Sequence, residues 1–305
     1  MFMKNNVTIK VDASTVEKMR KYYASYIHPN NGEYVDFEAR KDDVIITAFA
    51  SKKEHKKVYF LGERALEEAK IWDSQAELNE KPEQLKAKWI CFDSQIGSDE
   101  VGVGDFLGPM IVVAAYVNEK DISRLKELGI QDSKKMTDKL IMEVGPIVSK
   151  EFRYSKLTLQ NSKYNELVDR GENLNSMKAK MHNRALLNLY KEHPEVDNIF
   201  IDQFVQESTY YGYLNDANEE QVRNVTFKTK GESWYPCVAL ASVIARYSYL
   251  LEMEKLNKQY GLVFPFGASN AVNTFAKKFV KKYGEKELYK IAKKNFANYN
   301  EVLEK

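Results

Sequence analysis

Apolar and polar positions alternate over residues 7–11, 34–39, 44–50 and 58–61, the period-two pattern of strands with one buried face. Between the first two runs, Val16, Met19, Tyr23 and Tyr26 recur at helical spacing, and the Ser, Thr, Val, Glu sequence at 14–17 reads as a capping box opening that helix. A short helix over 63–72 completes an α+β unit over residues 1–75. The pattern then lapses. Residues 73–88 are charged, carry Pro82 and hold only scattered apolar side chains, and within them 76–88 is the expected linker. From Trp89 onward apolar strands alternate with amphipathic helices, which predicts an α/β sheet with helices on its faces over 89–305. Strands are expected over 109–117, 198–204 and 222–228, and helices over 137–149, 173–190, 207–220 and 235–258. In the second of these helices Leu174, Met177, Met181, Ala185 and Leu189 share one face.

Composition narrows the class. A chain of 305 residues with 44% hydrophobic and 30% charged content is ordinary for a globular protein. No apolar run approaches the roughly 20 residues of a membrane helix, and the amino terminus lacks the regions of a secretory signal, so a cytoplasmic protein without membrane contact is expected. Cys91 and Cys237 lie among apolar or aromatic neighbours, as buried thiols do, with no partner at metal-ligand spacing. The net charge of +2 is uninformative, but residues 271–305 hold nine lysines against four glutamates. These include the pairs Lys277 and Lys278, Lys281 and Lys282, and Lys293 and Lys294. Such a run is a solvated helix face or a phosphate-tracking patch. Lys52, Lys53, Glu54, His55, Lys56 and Lys57 form a similar basic turn in the first unit.

The chemistry sits in carboxylates. In the sequence GSDEVGVGD at 97–105, Asp99 and Glu100 stand immediately before a glycine-rich turn that leads into an apolar strand. Acidic pairs at the base of a core strand are costly unless a cation compensates them. Asp202 ends the apolar run Ile199, Phe200, Ile201, a place where ligand sites gather in open α/β sheets. About twenty residues carrying one helix separate Asp202 from the next strand, the length of a parallel crossover. That strand runs into Glu232, just before a helix amino terminus whose dipole favours a carboxylate. Oxygen donors without a histidine partner suit Mg²⁺ or Mn²⁺ and a two-metal phosphodiesterase. His28, His55, His182 and His193 form no ligand spacing, and there is no nucleophile elbow, Walker loop or dinucleotide fingerprint.

Taken together, GSDEVGVGD at 97–105, DSKK at 132–135, NLNSMK at 173–178, Ile201 with Asp202, KGES at 230–233 and ASVIAR at 241–246 resemble the type 2 ribonucleases H, and among them the ribonuclease HIII branch. The resemblance implies a ribonuclease H-like catalytic domain preceded by a smaller α+β domain similar to half of a TATA-box-binding protein. It implies that Asp99, Glu100, Asp202 and Glu232 bind two Mg²⁺ or Mn²⁺ ions. Glu232 marks the HIII branch, since HII carries aspartate at the matching place. The implied reaction is cutting of the RNA strand of an RNA/DNA hybrid, by a monomer, leaving 3′-hydroxyl and 5′-phosphate ends. Backbone groups of Gly102, Val103 and Gly104 would read ribose 2′-hydroxyls; many HIII sequences have threonine where this one has Val103. Ser133, Lys134 and Lys135 are candidate phosphate contacts. So is Lys178, on the polar face of its helix with Asn175 and His182. His182 itself reads as a hydrogen-bonded surface histidine, and Trp234, Tyr235, Tyr247 and Tyr249 as core aromatics. Two other readings stay open on the residues alone: a catalytically silent hybrid- or DNA-binding protein, and another two-metal nuclease of the same broad fold.

Overall fold

Val7, Ile9 and Val11 project inward from the first strand, and the fold of the amino-terminal unit follows from where they are buried. The computed structural model describes residues 5–28, 35–50, 55–78, 89–131, 133–217 and 220–303. The chain divides into two units, Met1–Lys86 and Ala87–Lys305.

In the first unit β1 (Asn5–Asp12), α1 (Ala13–Tyr22), β2 (Ile27–His28), β3 (Val35–Lys41), β4 (Val44–Phe49), β5 (His55–Gly62) and α2 (Ala65–Lys70) follow in order. The strands make one antiparallel sheet in the order β1-β5-β4-β3-β2. One face carries Val7, Ile9, Phe37, Ile46, Val58 and Phe60 against Val16, Met19 and Tyr23. Asp12, and not the expected Ser14, caps α1, its carboxylate accepting from the Thr15 N–H at 2.7 Å. The strand's last residue is thereby the helix's first acceptor. The helix ends at Tyr22, so Tyr26, expected on its buried face, is 40% exposed in a following 3-10 turn. Of the basic turn, His55, Lys56 and Lys57 belong to β5, whereas Lys52, Lys53 and Glu54 lie outside the described residues. Most of the expected linker, 79–88, also lies outside them.

The second unit contains β6 (Gln95–Val101), β7 (Met110–Val117), α3 (Ile122–Glu127), α4 (Asp138–Glu151), β8 (Tyr154–Leu159), α5 (Asn161–Asp169), α6 (Leu174–Glu192), β9 (Asn198–Asp202), α7 (Glu207–Asp216), β10 (Val225–Lys228), α8 (Pro236–Tyr260), α9 (Asn270–Tyr283), α10 (Glu285–Ile291) and α11 (Ala297–Leu303). Its sheet has the order β10-β9-β6-β7-β8, with β10, β9 and β6 parallel and β7 and β8 antiparallel. Both faces are covered. Ile111, Val113 and Ala115 pack with Val238, Ala241 and Ala245 of α8, while Val112, Ala114, Ile199 and Ile201 pack with Leu186 and Leu189 of α6. Burial on two faces is why β7 reads as an unbroken apolar run. A Cβ at Gly97 would come within 2.4 Å of Cys237 Sγ and 3.0 Å of the Val238 nitrogen, so glycine there lets the start of α8 lie directly on β6. Seven elements of this unit went unread in the sequence: β6 itself, α3, β8, α5 and the carboxy-terminal helices α9, α10 and α11. Among the described residues no helix is long and apolar enough to cross a membrane.

Candidate active site

Asp99 and Glu100 lie near the end of β6, immediately before the glycine turn. Successive strand residues face opposite sides of a sheet, so the pair straddles the sheet at its end. Glu100, with Ser98, faces α6. Asp99, with Gly97, faces the α8 side. Because Ser98 is level with Ile201 on the parallel strand β9, Asp99 stands level with Asp202. Lys228, the last residue of β10, is level with Asp202 in turn. The chain then passes through Lys230, with φ of 57°, into the 3-10 turn Gly231–Ser233 that holds Glu232. The Gly231 N–H donates to Asp202 Oδ1 at 2.9 Å, which ties that turn to the end of β9. Glu232 is 1% exposed.

Each carboxylate has a distinct environment. Asp99 is buried and its pKa is pushed well up, first by desolvation and then by the charges of Glu100 and Asp202. Desolvation also raises Asp202, partly opposed by the Gly231 hydrogen bond. Glu100 is the opposite case: burial alone would raise it, but the His182 hydrogen bond and the Lys178 ammonium together lower it to about 2. His182 Nε2 meets Glu100 Oε2 at 2.9 Å and its Nδ1 meets Ser98 Oγ at 2.7 Å. Lys178 Nζ is ion-paired with Glu100 and sits 3.9 Å above the centroid of the Phe204 ring.

This arrangement corrects two expectations. Lys178 and His182 are not on an exposed polar face: they are 6% and 0% exposed and hold Glu100 from α6. The signal was their i, i+4 spacing, which puts both on one helix face, next to an acidic strand. Ser133 Oγ meets Ser242 Oγ at 2.5 Å. Lys134, 75% exposed along its side chain, brings Nζ to 4.0 Å from Glu232. Asp132 and the Lys135 side chain fall outside the described residues. Tyr235 and Tyr249 are core residues, Tyr235 stacking on Phe200, while Lys228 lies over the Trp234 ring.

After β6 the chain turns through Gly102, Val103 and Gly104. Gly102 has φ of +83°, and a Cβ there would strike the Pro109 carbonyl at 2.3 Å, so the turn requires glycine. Gly104 is exposed with open space around it, and Val103 packs on the cluster of Met110, Tyr164 and Met177. Among the described residues no three carboxylate, imidazole or thiol groups are gathered within reach of one metal ion. The donor set nevertheless fits a hard cation: its acceptors are carboxylate oxygens, and desolvation first and mutual repulsion second raise Asp99 and Asp202. Glu100 is drawn toward α6 by Lys178 and His182, which keeps its oxygens apart from the others.

Comparison with known proteins agrees with this architecture. The family model described as ribonuclease HII matches residues 96–299, and one described as a domain of unknown function matches residues 6–85. A ribonuclease HIII from Bacillus cereus is 38% identical over 314 residues, covering 99% of each chain. The crystal structure of Bst-RNase HIII in complex with Mn²⁺ superposes with a TM-score of 0.67 at 34% identity, covering 98% of each chain. The ribonuclease H2 from Pyrococcus horikoshii, 22% identical with a TM-score of 0.55, covers 68% of this chain and 96% of its own, and so shares the fold of part of this chain. An acidic sheet end followed by a glycine turn, a matching family model and near-full-length relatives converge: the chain belongs to the ribonuclease HII family, alongside its ribonuclease HIII members.

Proposed function

We propose that the chain is an endonuclease that hydrolyses the RNA strand of RNA/DNA hybrids, leaving 3′-hydroxyl and 5′-phosphate ends, with Asp99, Glu100, Asp202 and Glu232 holding two Mg²⁺ or Mn²⁺ ions. The supporting observation is the meeting of Asp99, Glu100 and Asp202 at one sheet end, where desolvation and repulsion leave a deficit of positive charge. When bound, the ions activate a water for in-line attack and stabilise the leaving oxygen. Asp99, Asp202 and Glu232 offer oxygens from the α8 side and the strand ends. Lys178 and His182 orient Glu100, and Lys178 stands where a phosphate approaching that carboxylate would meet its ammonium. Lys134, largely in solvent beside Glu232, is suited to a backbone phosphate. The 102–104 turn offers main-chain groups to the ribose 2′-hydroxyls. Action as a monomer is part of the same proposal.

The first unit is assigned to holding the hybrid. The sheet face opposite α1 and α2 sets Lys10 directly opposite Lys57 and Thr8 opposite Tyr59. Like charges opposed across strands are unfavourable by themselves and become favourable against a polyanion. Tyr59 adds a ring to the same face.

With Mg²⁺ or Mn²⁺, the purified protein is expected to cut the RNA strand of a hybrid internally and to spare duplex DNA and duplex RNA. Asp99→Asn is expected to lower the rate by about a thousandfold or more while leaving hybrid affinity intact. Wild-type rates from that variant would refute the assignment. Titrating each metal over a hybrid and over a duplex with one ribonucleotide sets the preferred ion and the shortest ribonucleotide run that is cut.

A further inference from the structure

Lys293 belongs by sequence to the basic carboxy-terminal run, yet it is 0% exposed. Its Nζ donates to the Asp105 carbonyl at 2.7 Å and to the Gly108 carbonyl at 2.6 Å. Its own N–H donates to the Phe106 carbonyl at 3.0 Å, and the Gly108 N–H donates to the Ile291 carbonyl at 2.8 Å. Leu107 and Ala292 form a bridge between these contacts. The segment after α10 is thus laced to residues 105–108, the stretch that follows the glycine turn. Asp105 in turn closes that turn, its N–H donating to the Gly102 carbonyl at 3.3 Å. Asn161 adds a second donor to the Gly108 carbonyl at 2.9 Å, and the Gly267 N–H donates to the Asp105 carboxylate at 2.5 Å.

An ammonium is an expensive way to satisfy two carbonyls. Desolvation lowers its pKa to about 7, with Asp105 opposing, and the rings of Tyr164 and Phe296 are each 5.9 Å from Nζ. A buried ammonium with two donors on one short stretch of backbone fixes the shape of that stretch. We infer that Lys293 is a positioning residue for ribose recognition: by bridging the Asp105 and Gly108 carbonyls it holds the 102–104 turn in the geometry that distinguishes ribose from deoxyribose. The inference rests on the reading of that turn as the ribose contact.

The test is a cycle between the protein and the 2′-hydroxyl. Hybrids are prepared with the cleaved strand all ribose, or with one deoxynucleotide placed at successive positions around the cut, and kcat/KM is measured with Mg²⁺ for the full-length wild type and Lys293→Met. In the wild type a deoxynucleotide against the turn is expected to cost about tenfold, the worth of a well-placed hydrogen bond. Lys293→Met is expected to cut the all-ribose hybrid about tenfold more slowly, and the deoxy penalty is expected to shrink to about twofold, because coupled groups are not additive. Lys293→Gln, which keeps two N–H donors, should recover part of the discrimination, and Asn161→Ala should lose part of it. Thermal melts establish which variants are folded. A deoxy penalty unchanged in the folded variants would overturn the inference and leave Lys293 a scaffold residue. So would failure of all three variants to fold. A wild type that shows no penalty at any position removes the reading of the turn itself, a failure distinct from the first.

Discussion

The two units each build a sheet of five strands, and they dispose of its faces differently. The amino-terminal sheet is covered on one face by α1 and α2, and its strands show the resulting alternation, buried at Val7, Ile9 and Val11 and exposed at Thr8, Lys10 and Asp12. The second sheet is covered on both faces, so its strands offer a ligand only their ends. That difference separates two kinds of work. An open face with spaced lysines can follow a long polyanion but cannot desolvate a reacting phosphate. A sheet end walled by α6 and α8 desolvates carboxylates strongly, as the raised Asp99 shows, and covers little length of nucleic acid. Binding energy and chemistry are therefore expected to separate by unit.

After Asp99→Asn itself, the largest effect should come from the walls of the closed end. His182→Phe keeps a ring beside Phe204 but removes both nitrogens that hold Ser98 and Glu100. Its kcat on a hybrid is expected to fall about a hundredfold, with hybrid affinity little changed. A stopped-turnover assay with excess enzyme separates the two quantities. Loss of affinity with an unchanged rate would move His182 out of the chemistry.

Next in size is removal of the open face. Deleting residues 1–75 is expected to raise the dissociation constant for a hybrid by about ten- to a hundredfold, roughly 1.4 to 2.8 kcal/mol, while kcat at saturation stays within about threefold. The loss should shrink at high salt, because the contact is with phosphates. Equal losses in kcat and affinity would mean that the units do not divide the work, and fluorescence anisotropy with single-turnover rates decides.

How much of this was legible follows from what periodicity can carry. Four of the five strands of the open sheet were readable because one-sided burial writes itself as alternation; β2, two residues long, is too short to show it. The apolar run of β7 was readable too, because burial on both faces writes itself as continuity. Strand β6 was not, since Gly97, Ser98, Asp99 and Glu100 break any apolar pattern, and what buries them is α6 and α8, supplied by distant sequence. The same limit explains His182 and Lys293. A histidine one helical turn from a lysine, and a lysine in a basic run, look solvated until tertiary packing brings Glu100 to one and the Asp105 and Gly108 carbonyls to the other. Asp202 and Glu232 could be picked out because each interrupts or follows an apolar strand at its carboxyl end, where a charge needs a reason.

The smallest expected effect is on stability, and it probes the closed end without substrate. In the folded chain Asp99 has a raised pKa, chiefly from desolvation and then from Glu100 and Asp202. A carboxyl group whose folded pKa lies above its unfolded value takes up a proton on folding, so its contribution is full below the unfolded pKa and is lost as pH rises through the folded one. At neutral pH without divalent metal the fold therefore disfavours the ionised form of Asp99, and Asp99→Asn relieves that cost. The variant is expected to melt a few degrees higher than the wild type in metal-free buffer at pH 7.5, corresponding to about 1 to 2 kcal/mol at roughly 2–4 °C per kcal/mol. The gap should narrow as the pH is lowered through the folded-state pKa and close only below the unfolded value of about 3.9, where Asp99 is protonated in both states. Mg²⁺ or Mn²⁺ should close or reverse it by stabilising the wild type through binding. A wild type that melts higher than Asp99→Asn at pH 7.5 in chelator would show that the closed sheet end carries no uncompensated charge, and with that the contrast between an open face built for phosphates and a closed end built for cations would fall.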